Sequence, residues 1–219
     1  MSEPAEITHI ESRWPVALVI ALVGLLLTLL PDRIRVAPTW VPSVVTILII
    51  APMIALSLNP AKALWLRIES IVISLFFVVT GLGLLDQLTV LLSAMLRRSS
   101  DISGFQLLTS SIAVWAGTVL LFSVAYWRTD RGGPEARANR ASTKPDWLFP
   151  QETLPRDVPR GWRPTFIDYL FLSYCAATAF SPSGPQPLTS RAMLLLMLES
   201  MISLITIIAI AARAISLLS

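Results

Sequence analysis

Apolar positions along this chain gather into long unbroken runs, not into the two-residue alternation of a half-buried strand or the one-sided stripe of a surface helix. Such runs occupy 14–30, 41–58, 68–95, 105–127 and 192–218. Each reaches the roughly 17–25 residues that carry a helix across a bilayer core of about 30 Å. Trp14, Trp40 and Trp65 fall at the edges of these runs, where amphipathic rings prefer to lie. Pro15 and Pro31 bracket the first run, and Asn59-Pro60 closes the second. The third holds Gly81, Gly83 and the pair Asp86-Gln87. It is long enough either to tilt or to leave the membrane near Asp86 and finish along the interface, and the second is favoured.

A sixth apolar stretch behaves differently. Residues 166–178, FIDYLFLSYCAAT, would rise only about 20 Å as a helix, too little to cross. The Pro/Ser/Gly segment 179–187 follows and cannot continue a helix. A full span comes next. A short helix, an irregular segment and a long span in that order predict a re-entrant loop, because irregular backbone at membrane depth survives only where protein or water satisfies it. The expected fold is an all-α integral membrane protein with about five transmembrane helices plus a re-entrant pore helix and loop before the last span. Its parts are an N-terminal tail (1–13), a three-helix membrane region (14–104) and a TM–pore loop–TM unit (105–219). That unit comprises a polar loop (128–165), a short helix (166–178), an irregular segment (179–187) and an inner helix (192–218).

Composition supports the membrane reading and removes other classes. Hydrophobic residues make up 54% and charged residues 14% of the chain, and mean hydropathy is +0.69. The net charge of +3 is confined to loops and forms no basic stripe, so nucleic acid is not an expected partner. Cys175 is the sole cysteine and His9 the sole histidine, so no intrachain disulfide, no Cys-rich metal site and no His-based catalysis is expected. No carboxylate pair, nucleophile–base set or phosphate-binding glycine loop is visible, so no enzyme and no cofactor is expected. The acidic N-terminus (Glu3, Glu6, Glu11) and the lack of a small-residue cleavage pattern near Pro31 predict a retained first span, not a signal peptide.

The order of residue types in the last fifty or so positions resembles the tetrameric potassium-channel superfamily. Ser173-Tyr174 matches the middle of its pore helix and Thr178 that helix's last turn. Ala179, Phe180, Ser181, Pro182 and Ser183 fall at the filter, Pro187 at the outer-mouth proline, and Arg191 at the arginine opening the inner helix. The filter sequence Thr-Val-Gly-Tyr-Gly is absent. Over nearly its whole length the chain is similar to an uncharacterised family of small bacterial integral membrane proteins. The tract from Trp127-Arg128 to Trp162, then Tyr169–Ser173 and Thr178-Ala179-Phe180, carries that likeness.

These resemblances imply a multi-pass protein of the bacterial inner membrane whose partners are the lipid bilayer and, if it conducts, monovalent cations. A homotetramer is implied because one TM–pore loop–TM unit cannot enclose a pore alone. Potassium filters replace the ion's hydration shell with rings of carbonyls, aimed by glycines at φ > 0. Here Ser181 and Ser183 flank Pro182 at those positions, so a wider, weakly selective mouth is expected. The alternative is a non-conducting scaffold or accessory subunit that keeps the pore-loop plan.

Three features carry further chemistry. On the last span Ser203, Thr206 and Arg213 lie within about 40° of Glu199 at 100° per residue. A carboxylate in lipid would cost several kcal/mol, so this stripe must face protein or water. Glu199 either lines an aqueous path with Ser203 and Thr206, or is bonded to the short helix at Ser173, Tyr174 or Thr178 and fixes packing. Asp168 is expected to pair with Arg163 or Arg191. The loop 128–165 is either a turret around a pore mouth or a flexible connection. Sidedness stays open: with five spans, Arg13, Lys62, Arg67, the loop's basic residues and Arg191 share one side. The positive-inside rule assigns that side to the cytoplasm and the channel resemblance assigns it to the exterior.

Overall fold

The computed structural model describes residues 14–29, 38, 40–58, 63–96, 103–138, 144–154, 158–159, 162–178 and 184–218. They are mostly helical: α1 (Trp14–Thr28), α2 (Trp40–Leu58), α3 (Ala63–Leu96), α4 (Gly104–Thr129), α5 (Pro134–Ala138), α6 (Pro150–Thr153), α7 (Phe166–Thr178) and α8 (Ser190–Leu218), with two-residue strands β1 (Trp147–Leu148) and β2 (Gln186–Pro187). Among the described residues three helices are long and apolar enough to cross a membrane, over Ile71–Met95, Gly104–Gly132 and Ser190–Ile215. α1 and α7 are shorter apolar helices.

The central element is α4. It packs against α8, α7, α3 and α1, and α1, α2 and α3 also pack side by side. Its start is set by a capping box: the Gln106 amide donates to Ser103 Oγ, and the Ser103 amide donates back to the Gln106 side chain. Val114, Leu121, Phe122, Val124, Tyr126 and Trp127 of α4 are all buried. Small residues allow close approach. A Cβ on Gly117 would meet Leu84 Cδ2 at 3.2 Å, and one on Gly24 would collide with Thr46 Oγ1.

α3 runs without a break through Gly81, Gly83 and Asp86. Its stretch Ile71–Met95, with Asp86 inside it, is long and apolar enough to cross a membrane. Two glycines cost a helix only about 1 kcal/mol each, and packing on α4 outweighs that.

The end of α4 turns sharply. Arg131 (φ 53), Gly132 (φ 79) and Gly133 (φ 94) take left-handed conformations in succession. A Cβ on Gly133 would lie 2.9 Å from the Arg128 carbonyl oxygen, so only glycine fits there. The described part of the polar loop is folded. β1 pairs antiparallel with β2, matching Trp147 to Pro187 and Leu148 to Gln186. The Leu188 amide extends this contact by donating to the Asp146 carbonyl at 2.8 Å.

α7 begins beside the end of α4 and runs back along it. Phe166 meets Trp127 edge to face, Ser173 Oγ lies 2.7 Å from the Val119 carbonyl, and Tyr174 meets Trp115. Arg191, at the start of α8, reaches the carbonyl of Thr129, the last residue of α4. The two long helices are therefore antiparallel, with α7 against both.

Candidate functional site

Two polar clusters sit where α4, α7 and α8 meet. The deeper one centres on Glu199, which has no exposed surface although it lies nine residues into an apolar helix. The Tyr126 hydroxyl of α4 donates to Glu199 Oε2, and Ser173 of α7 is hydrogen-bonded to Glu199 Oε1. Ser173 Oγ also lies 2.7 Å from the Val119 carbonyl. A hydroxyl carries one proton and a carbonyl oxygen can only accept. A proton on Glu199 Oε1 lets Glu199 donate to Ser173 while Ser173 donates to Val119, so a neutral carboxyl satisfies every contact at once. One side chain thereby ties three helices together.

Ser203 and Thr206 continue the stripe one and two turns on, and both are buried. Thr206 Oγ1 donates to the Ile202 carbonyl of its own helix at 2.8 Å, whereas Ser203 Oγ is buried without a hydrogen-bond partner. On α4, Thr118 and Ser111 bond back to Val114 and Leu107. Ser110 Oγ has no partner. The polar face of α8 is thus turned into the fold, and the exposed Met193, Leu194, Met197, Met201, Leu204 and Ile208 on its outward side are apolar.

The second cluster closes the end of this three-helix group. Asp130 is fully buried and accepts from the Asp146 amide at 2.9 Å and from the Tyr169 hydroxyl at 2.7 Å. The Asp146 carboxylate receives Arg191 in a two-pronged pair, Nε at 2.6 Å and Nη2 at 2.5 Å, and Thr189 Oγ1 at 2.5 Å. Burial alone would raise the Asp146 carboxyl, but the hydrogen bonds from Arg191 and Thr189 and the Arg191 charge hold it below its ordinary value. Arg137 Nη1 donates to the carbonyls of Trp127 and Asp130, both at 2.9 Å, with its guanidinium over the Trp127 and Tyr169 rings. Trp147, fully buried, stacks edge-on over Tyr126 with ring centroids 4.8 Å apart.

Among the residues singled out in the sequence, Glu199, Ser203 and Thr206 share one buried face, and Glu199 meets Ser173 and not Tyr174 or Thr178. Thr178, half-buried, ends α7 and donates to the Tyr174 carbonyl. Ala179, Phe180, Ser181, Pro182 and Ser183 lie outside the described residues. Asp168 pairs with neither expected arginine. It caps α7 by accepting from the Thr165 amide (2.7 Å) and hydroxyl (2.8 Å), while Arg191 is taken by Asp146. A carboxylate three residues into a helix finds its nearest donors at the N-cap, and the helix N-terminus favours its charge there. Tyr126, Asp130, Asp146, Trp147 and Tyr169 were not anticipated. Their partners lie 16 to 73 residues away, so no spacing rule could pair them. The one available signal was an Asp-Trp pair inside a polar loop.

Among the described residues no group of three or more His, Cys, Asp or Glu could hold a metal ion. Compared with family models, curated proteins and solved structures, the chain matches none.

Proposed function

We propose that this chain is a pore-loop membrane protein in which α4, α7 and α8 form one TM–pore loop–TM unit. Four such units would assemble into a weakly selective cation channel of a bacterial inner membrane. The observation that carries this reading is where the segment 166–187 is fastened. Near its start, Tyr169 bonds to Asp130 at the end of α4. At its finish, Gln186 pairs with Leu148, and Leu188 bonds to Asp146 beside the same Asp130. A thirteen-residue helix whose two flanks are tied to one end of the α4/α8 pair supports a segment that would go in and come back on the same side. The outward apolar face of α8 is the surface on which neighbouring units would meet. Thr178 and the segment Ala179–Ser183 would form the mouth, with hydroxyls and a few carbonyls in place of a glycine-built carbonyl ladder.

A second reading, the non-conducting scaffold, is favoured by the burial of Glu199, Ser203 and Thr206. A stripe consumed by packing inside one subunit offers no charge to an axial path. Particles imaged in lipid, with currents recorded from the same preparation, separate the two. Four-fold symmetry with α8 at the axis and cation currents supports the channel. Four-fold particles without current support the scaffold, and monomers or dimers remove the channel.

A further inference from the structure

The buried stripe of α8 is closed to any hydrated cation, but a proton needs no room. We propose that the α4/α8 seam conducts protons, with Glu199 as the proton-binding group and Trp147 as the closure towards the loop end. This rests on the packing around Glu199 and not on the pore-loop reading.

Glu199 is placed to hold a transferable proton. The groups bonded to it are the Tyr126 hydroxyl from α4 and the Ser173 hydroxyl from α7, both uncharged and able to donate and accept. One turn further along α8, Ser203 Oγ is 1% exposed and has no partner. Its proton and lone pairs are unused, so it is the next group along α8 able to accept and pass a proton. Beyond it Thr206 continues the buried polar face of α8. Arg213, half-buried, lies two turns past Thr206 on the same face. At the loop end the fully buried Trp147 ring covers Tyr126, with ring centroids 4.8 Å apart. Trp147 is held there by β2 and by its neighbour Asp146, clasped by Arg191 and Thr189.

The step balances without any redox partner. Tyr126 takes a proton from loop-side water as it passes its own to Glu199 Oε2. Glu199 gives the proton on Oε1 to Ser173, whose own hydroxyl proton moves on towards Ser203, and rotation of the carboxyl brings the proton received on Oε2 back to the Ser173 side. One proton enters, one leaves, and no heavy-atom bond changes.

The test is proton flux into liposomes holding the full-length protein and a trapped pH-sensitive dye, driven by a potassium diffusion potential. Wild-type protein should exceed protein-free liposomes. Glu199→Gln, which keeps size and hydrogen bonds but carries no transferable proton, should fall to the protein-free level. Trp147→Ala should raise flux about tenfold by admitting water to Tyr126, and the double variant should return to background. Because Trp147→Ala could fail to fold, Asp146→Asn, which loosens the same closure from its rim, serves as a second opening variant. Infrared spectra supply a readout independent of flux: a protonated-carboxyl band present in wild type and absent in Glu199→Gln. Wild-type flux equal to that of Glu199→Gln overturns the proposal, as does an opening variant whose flux survives Glu199→Gln. Sodium flux is read in the same vesicles. Sodium flux without proton flux overturns this proposal and leaves the channel reading standing, and the reverse result does the opposite.

Discussion

Tyr126 on α4 donates its hydroxyl to the carboxyl of Glu199 on α8, across 73 residues of sequence and with no water-exposed surface on either side chain. With Ser173 on the far side of the same carboxyl, this contact fixes the spacing of three helices. Van der Waals packing and hydrogen bonds must supply that fixation, since lipid provides no hydrophobic drive between helices.

Glu199→Gln and Glu199→Leu should therefore part company. Glutamine keeps the shape and the donor that a neutral carboxyl has, so thermal stability in detergent should change little. Leucine orphans the Tyr126 and Ser173 hydroxyls and should cost about 2–4 kcal/mol. Equal melting temperatures for the two variants would mean that the cluster holds nothing together.

Asp146 and Arg191 make a pH-dependent clasp. A carboxyl held below its ordinary value in the folded state stabilises the fold at all pH above its unfolded value. That stabilisation is lost as pH falls through the folded value, here below about pH 4. Near-ultraviolet signals from Trp147 should hold steady from neutral pH down to that window and change within it. Asp146→Asn should remove the acid transition and cost about 1–3 kcal/mol at neutral pH, moderated because Arg191 is 56% exposed. An acid transition that persists in Asp146→Asn would assign it to another group.

Topology is directly testable. Single cysteines introduced at 135–145 and at 188–190, in a Cys175→Ser background, should be labelled by an impermeant reagent from the same face. Labelling from opposite faces would mean that 166–178 crosses the membrane and that the pore-loop reading fails.

If currents are found, potassium and sodium should be poorly distinguished, because Ser181 and Ser183 stand where φ > 0 would be needed and Pro182 fixes the backbone between them. Reversal potentials under bi-ionic conditions measure this. Strong potassium selectivity would show that these residues do not occupy the filter.

Gly24→Ala should strain the α1/α2 contact, since the added methyl would fall on Thr46 Oγ1 and 3.2 Å from Thr46 Cβ. A loss of about 1–3 kcal/mol is expected. A variant as stable as wild type by thermal denaturation would show that the two helices can separate at no cost.

Runs of apolar residues decide much about this protein unaided, because a bilayer imposes a length and a polarity that any sequence must meet locally. That is why 105–127 and 192–218 announce long helices, why FIDYLFLSYCAAT announces a short one, and why the Pro/Ser/Gly stretch announces its end. The stripe of Glu199, Ser203 and Thr206 was legible for the same reason, since helical periodicity is a local property. What that stripe faces was not. Glu199 could have lined a path or locked a packing, and the choice rests on Tyr126 and Ser173, which only tertiary structure brings to it. Asp168 shows the limit from the other side: its charge suggested a distant arginine, but a donor three residues away was closer. The polar loop gave no periodic signal, yet Asp146 and Trp147 are as buried as any core residue. Asp146 pairs with Arg191 and Trp147 with Pro187 some 40 residues on, and the partners of a charge are set by where the chain returns in space.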